Sequence, residues 1–332
     1  MIQLSPETIW NLNTEELFTL LESGNFKPKT NKIHFYAPSF TYYKTKYYFS
    51  STNDFPTISV TGTSCALNCK HCGGKVLQTM HPAQSPQQLL KLCQKLEQNG
   101  ARGCLVSGGC LPDGSVPLDD FVDALERVKR DLGLTIFVHS GIISTKTAVS
   151  LKRVGVDAVL IDVIGSVETI RKTLNLKITP QDYVNSLTAL DSSGLNFVPH
   201  VIVGLNEGKL DGELAALKII RQVTPSALVI IAFMPIHGTV MEKTTPPKPF
   251  EIAKVTAAAR LMFPETPLVL GCMRPKGAAR AETDILALKA GVDAIAFPSE
   301  QAVKYAENKN YQTTFSSHCC AQIYSDLTFK KL

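Results

Sequence analysis

Several things are missing or scarce in this 332-residue chain. No stretch stays apolar long enough to cross a bilayer, which argues against an integral helical membrane protein. The opening "MIQLSPETIWNLNTEELF" is polar and acidic, unlike a secretory signal or a transit peptide. There is no low-complexity segment. Net charge is only +5, too little to demand a nucleic-acid partner, though it would suit an acidic one. The nine cysteines are an odd number, so an internal disulfide framework cannot consume them all. The expectation is a cytoplasmic protein that binds neither membrane nor nucleic acid. Its thiols stay reduced in that compartment and need another explanation.

What is present is a rhythm of short apolar runs and amphipathic helices from about residue 55 onward. Strands are expected at 57–62, 103–109, 134–141, 157–165, 197–205, 227–235, 267–273 and 294–299. Their near-continuous Val, Ile and Phe content is that of strands buried on both faces of a parallel sheet. Helices are expected between them. "SPQQLLKLCQKLEQNG" shows a Ser cap, Pro at the first position and a closing Gly. Eight such repeats predict an α/β fold, a (β/α)8 TIM-type barrel closed on itself, with a doubly wound open sheet as the runner-up. The expected organisation is an N-terminal extension (1–54) packed on the barrel, the barrel (55–310) and a cysteine-bearing tail (311–332) that returns to the active face. In such barrels, chemistry gathers at the C-terminal ends of the strands.

"CALNCKHC" follows the first barrel strand and holds Cys65, Cys69 and Cys72. Thiolates suit zinc or iron–sulfur clusters. A closed structural zinc site wants four ligands, and no fourth stands nearby. Three thiolates instead suit a [4Fe–4S] cluster with one iron left open. A zinc knuckle with a distant fourth ligand is the alternative.

This C-x3-C-x2-C loop resembles the signature of radical S-adenosylmethionine (SAM) enzymes. The resemblance implies a [4Fe–4S] cluster whose open iron is chelated by SAM, and an electron donor such as ferredoxin or flavodoxin. It puts His71 beside the adenine. "SGG" (Ser107, Gly108, Gly109) resembles the segment that holds SAM's amino group, with Cys110 where an acid is usual. "HVIVGLNE" is similar to the G-x-I-x-G-x-x-E motif, making Ile202 and Gly204 cofactor contacts. "MPIHGT" resembles a P-x-x-GT segment of the biotin-synthase-like branch, which brings in Met234, Pro235 and Gly238. His139 and Asp162, at the ends of strands three and four, are candidates for the ribose or the substrate; helix caps or satisfied core groups are their plainer roles.

Six cysteines remain. Cys93 and Cys104 read as core. Cys110, Cys272, Cys319 and Cys320 are expected to converge at the active face, where four thiolates would suit a second [4Fe–4S] cluster. His318, or only one of the adjacent pair, could serve instead. "GCMRPKG" places Arg274 near that group. Together with "IHFYAPSF" and the terminal "CC", these segments resemble one subunit of the two-component lipoyl synthases. That resemblance implies a sulfur-inserting transferase. Its substrate is an octanoyl chain on a lysine of a lipoyl domain or H-protein, and a companion radical SAM subunit performs the other step. A biotin-synthase-like enzyme with a small free substrate, or a zinc-stabilised scaffold, are the competing readings.

Overall fold

A computed structural model describes residues 4–39, 41–50 and 53–328; residues 1–3, 40 and 51–52 of the expected extension and 329–332 of the expected tail lie outside them. Among the described residues eleven strands form one sheet: β1 (Lys32–Tyr36), β2 (Thr57–Ser59), β3 (His81–Pro82), β4 (Gly103–Ser107), β5 (Thr135–His139), β6 (Ala158–Asp162), β7 (Phe197–Val203), β8 (Leu228–Ala232), β9 (Leu268–Leu270), β10 (Ala294–Ala296) and β11 (Gln312–Ser316). Every pairing between them is parallel. All eight barrel strands read from the sequence are there, as β2 and β4–β10.

Helices follow most strands for the reasons their ends show. The hydroxyls of Ser85, Ser144 and Ser299 accept from the backbone N–H three residues on. Gly133 and Gly194 take left-handed φ values of 65° and 68° and stop theirs. The helices bury Leu89, Leu125, Leu151, Leu190 and Ile252 against the outside of the sheet.

The α/β barrel is a partial one, and this corrects the expectation of eight strands closing on themselves. Strand order runs β11-β1-β10-β9-β8-β7-β6-β5-β4-β2-β3, so the eighth barrel strand, β10, pairs with β1 and not with β2. The extension therefore enters the sheet, and β11 continues it. Among the described residues the seam between β11 and β2 is spanned by side chains: Ser317 hydrogen-bonds Asp54, and the His318 and Phe55 rings lie 5.9 Å apart.

The tail also departs from expectation. β11 does run towards the C-terminal ends of the strands, but the chain then turns inward. Cys320, Ala321 and Ile323 are buried among Phe137, Val229 and Val269 inside the barrel. Tyr324 Oη donates to Asp157 O at 3.0 Å and Tyr36 Oη to Asp326 Oδ2 at 2.6 Å, and Asp157 precedes β6 at the opposite end. The apolar side chains of 320–323 explain the path: they are covered inside and would be wet outside. No helix among the described residues is long and apolar enough to cross a membrane.

Candidate active site

The three-cysteine loop leaves β2 and is strapped to the end of β4. Ala66 N donates to Cys110 O at 2.8 Å, Gly109 N to Thr61 Oγ1 at 2.7 Å, and Thr61 Oγ1 to Ser64 O at 2.8 Å. Its far side is tied to 173–175: Lys70 N donates to Thr173 O, Cys69 Sγ to Leu174 O, and Asn175 Nδ2 to Leu67 O. Asn68 takes φ +47°, a left-handed turn that Asn tolerates better than most residues and that folds the Cys65–Cys69 spacing back on itself. The result gathers the ligand atoms of Cys69, His71 and Cys72 within 4.8 Å of one another, with Cys65 close enough to perturb Cys69. Cys72 is pulled down to about 4 by hydrogen bonding from Cys69 first and from His71, against burial. Cys69 rises far above an ordinary thiol, through its bond to Cys72 and then burial.

The loop roofs a cavity of about 310 Å³ at the C-terminal ends of the strands. Cys65, Cys69, His71, Cys72, Ser107, Gly108, Gly109, His139, Asp162, Ile202 and Met234, all named from the sequence, line it. Gly204, Pro235 and Gly238 do not; Gly238 N is held by Glu242 Oε2 at 2.8 Å. The glycines matter for space. A Cβ on Gly109 would stand 2.0 Å from Ser64 O, so only glycine lets β4 and the loop touch there.

Residues 59–215 match the radical SAM superfamily. The chain carries a radical SAM domain. It is similar to the biotin synthase of Coxiella burnetii (strain Dugway 5J108-111), 28% identical over 223 residues that span 64% of this chain and 67% of that protein. The biotin synthase of Prochlorococcus marinus (strain MIT 9215) is 26% identical over 253 residues, 73% of each chain. Among solved structures, methylornithine synthase superposes with a TM-score of 0.61 at 16% identity over 93% of both chains. HydG, a maturase of the [FeFe]-hydrogenase, gives 0.65 at 16% identity over 98% of this chain and 74% of its own. At such identities the structural likeness speaks for the fold alone.

In the cavity, His139 Nε2 and Asp162 Oδ1 approach to 3.5 Å, and the His139 ring lies 5.9 Å from that of His200. The pair keeps 26% and 37% of its side-chain surface, which faces the cavity. Burial alone would lower His139, but the charge and hydrogen bond of Asp162 outweigh it and raise the imidazole. Burial would likewise raise Asp162, and His139, His200 and His71 together lower it. His200 has no such direct partner, so burial drives it down to about 4, and Nδ1 sits 3.0 Å from Val198 O. The cavity thus presents the His139–Asp162 pair, with the His200 imidazole buried close by.

The four further cysteines named from the sequence all lie towards the C-terminal ends of the strands or inside the barrel. Cys110 packs with Cys65 and Cys72 on the cavity side, where burial, then Cys65 and Asp162, push it up to about 12. Cys272, Cys319 and Cys320 form a separate group inside the barrel. The bond from Ala66 N to Cys110 O ties the Cys110 backbone to the three-cysteine loop. Cys272 is raised to about 11 by burial and then Cys319, with Arg274 opposing. Cys319 is lowered, by its bond to Cys320 first and further by His139, while Cys320 is raised. His318 is turned to Gln322, 3.0 Å from its Oε1. Arg274 is a buried hub, donating to Asp284, Gly271 O, Ala296 O and Phe297 O.

Two residues escaped the sequence reading. Thr61 ties glycine and loop together, and the run "TGTSC" was its signal. Glu207, the acid of the motif match, points to solvent at φ +52°, while Glu213 is buried and accepts from Gly204 N at 2.8 Å.

Proposed function

We propose that this protein is a radical SAM sulfurtransferase that inserts one sulfur atom into a protein-bound octanoyl, or mercapto-octanoyl, chain. The observation that supports the reading best is the second thiol group, Cys272, Cys319 and Cys320, enclosed in the same barrel beneath the cavity.

The residues suit the groups this requires. Three thiols on a strapped loop, with His71 Nδ1 buried and unpartnered among the described residues, suit a [4Fe–4S] cluster and an adenine beside it. The enclosed thiols, next to Arg274 and Arg280, suit an anionic second cluster, because Asp284 offsets only one of the two guanidinium charges. When bound, the first cluster with SAM supplies a hydrogen-abstracting carbon radical, and the second supplies sulfide. Cys65, Cys69 and Cys72 would hold the first; Cys272, Cys319 and Cys320 the second. Gly108 and Gly109 let the backbone approach SAM. His139 and Asp162 present an ion pair to a ribose hydroxyl or to the polar end of the substrate. Leu67, Leu77, Met80 and Phe233 keep water from the reacting carbon and suit an alkyl chain.

On this reading the acyl chain arrives on a lysine of a lipoyl domain or H-protein. A companion radical SAM subunit performs the other insertion, and ferredoxin or flavodoxin supplies electrons. The test is anaerobic incubation of the reconstituted protein with SAM, dithionite and an octanoyl-lysyl peptide, read by mass spectrometry. A gain of one sulfur is expected. Cys272→Ala should abolish that gain while SAM cleavage survives. Turnover of a small free substrate that survives Cys272→Ala would overturn the reading, as would zinc in place of iron and labile sulfide.

A further inference from the structure

Glu213 is a carboxylic acid with no place in the chemistry above, yet it is 4% exposed. Its Oε1 accepts from Gly204 N at 2.8 Å, and its Oε2 is buried with no partner among the described residues. Gly204 itself sits at φ +73°, and a Cβ there would meet the Pro247 ring at 2.8 Å. The turn after β7 is therefore pinned from one side by Pro247 and from the other by Glu213. A small cavity of about 10 Å³ lies between Glu213 and the turn. Ile202 and Leu205 border both it and the main cavity.

We propose that Glu213 is a positioning residue: its carboxylate clamps the Gly204 turn and so sets how far Ile202 and Leu205 project into the SAM cavity. This rests on the reading of that cavity as the SAM site. A buried carboxylate is an expensive clamp unless its charge is used, and here burial raises it to about 7, with the N–H of Gly204 first and those of Glu213 and Asp211 after it pulling the other way. Asp211 also raises it, and is itself held by Ser166, Thr169 and Asn206. The remaining residues that border the small cavity, from the turn after β6, from β7 and the turn after it, from the helix at 167–172 and from the helix that Glu213 opens, carry no titratable group. The ionised form accepts more strongly. The clamp therefore tightens as pH rises through neutrality.

The experiment measures SAM affinity of the reconstituted protein by equilibrium dialysis between pH 6 and 8. Hydrogen exchange of segment 200–208 is followed alongside. Wild type should bind SAM several-fold more tightly at pH 8 than at pH 6. Glu213→Gln keeps an acceptor and should bind with a flat profile. Glu213→Leu should weaken SAM at every pH and speed exchange at Gly204, with the same iron content as wild type. If exchange at Gly204 is unchanged in Glu213→Leu, the clamp is refuted whatever the cavity binds. If wild type and Glu213→Gln show the same pH profile, the charge has no part in it. Failure of wild type to bind SAM at all would instead sink the parent reading, and the exchange result would still decide the clamp.

Discussion

The two adjacent glycines at the end of β4 should behave very differently when each gains one methyl group. At Gly109 the new Cβ would lie 2.0 Å from Ser64 O, 2.6 Å from Cys65 Cβ and 2.7 Å from Cys65 Cα. All three atoms belong to the loop backbone or its root, and none can rotate aside. At Gly108 the nearest atoms are Thr61 Cγ2 and Oγ1 at 3.1 Å and Val60 Cγ2 at 3.2 Å, side-chain atoms that need yield only tenths of an ångström. Overpacking costs about 1–3 kcal/mol, with backbone displacement at the upper end. Gly109→Ala should therefore cost about 3 kcal/mol and Gly108→Ala about 1 kcal/mol or less. The displaced segment is the one that carries Cys65, so Gly109→Ala should also lose about half of its bound iron if two four-iron clusters are held. Urea unfolding gives the first number and iron analysis after anaerobic reconstitution the second. Equal losses in the two variants would refute the reasoning, because propensity and composition change identically and only the clash differs.

Arg274→Lys should destabilise by about 3 kcal/mol or more, since lysine cannot replace the fork that bonds Asp284 and three carbonyls, and Asp284 is left buried at 0% exposure; an unchanged urea midpoint would contradict that. His200 should make the fold acid-sensitive. Below its ordinary value of 6.5 the unfolded chain binds a proton that the folded chain refuses until about 4, so stability falls as pH drops through that window. The loss amounts to about 3 kcal/mol at pH 4. His200→Asn should flatten the stability-versus-pH curve between those values, and an unaltered slope would assign the acid sensitivity elsewhere.

The barrel strands were legible because each is an unbroken apolar run, and burial on both faces leaves that mark. β1 and β11 were not: "KIHFY" reads as part of an aromatic segment, and "QTTFS" is polar and half-exposed at a sheet edge. Strand pairing at the seam joins segments far apart in the chain, which periodicity does not record. The cysteine loop was legible since its spacing is local. The strap between Ala66 N and Cys110 O was not legible, since a main-chain bond between two loops leaves no local mark in the sequence. Glu213 was not legible because it lies outside the motif spacing: a left-handed turn sends Glu207 outward and helix entry carries Glu213 in.

The second thiol group depends on something quieter than cysteine. A barrel interior of this kind is ordinarily filled by bulky branched side chains from the strands. Here the inward positions include Ala158, Ala227, Ala294 and Ala296, all at 0% exposure, and Gly271, where a Cβ would stand 2.4 Å from Ile231 Cγ2. Small strand residues leave a volume that close packing must fill, and the tail's Cys320, Ala321 and Ile323 fill it. The adjacent cysteines are thus drawn inward by ordinary core packing, and Cys272 meets them because β9 ends at Leu270, just before the glycine that precedes it. The alanines of the strands and the cysteines of the tail are two halves of one packing solution, separated by more than a hundred residues in the case of Ala158.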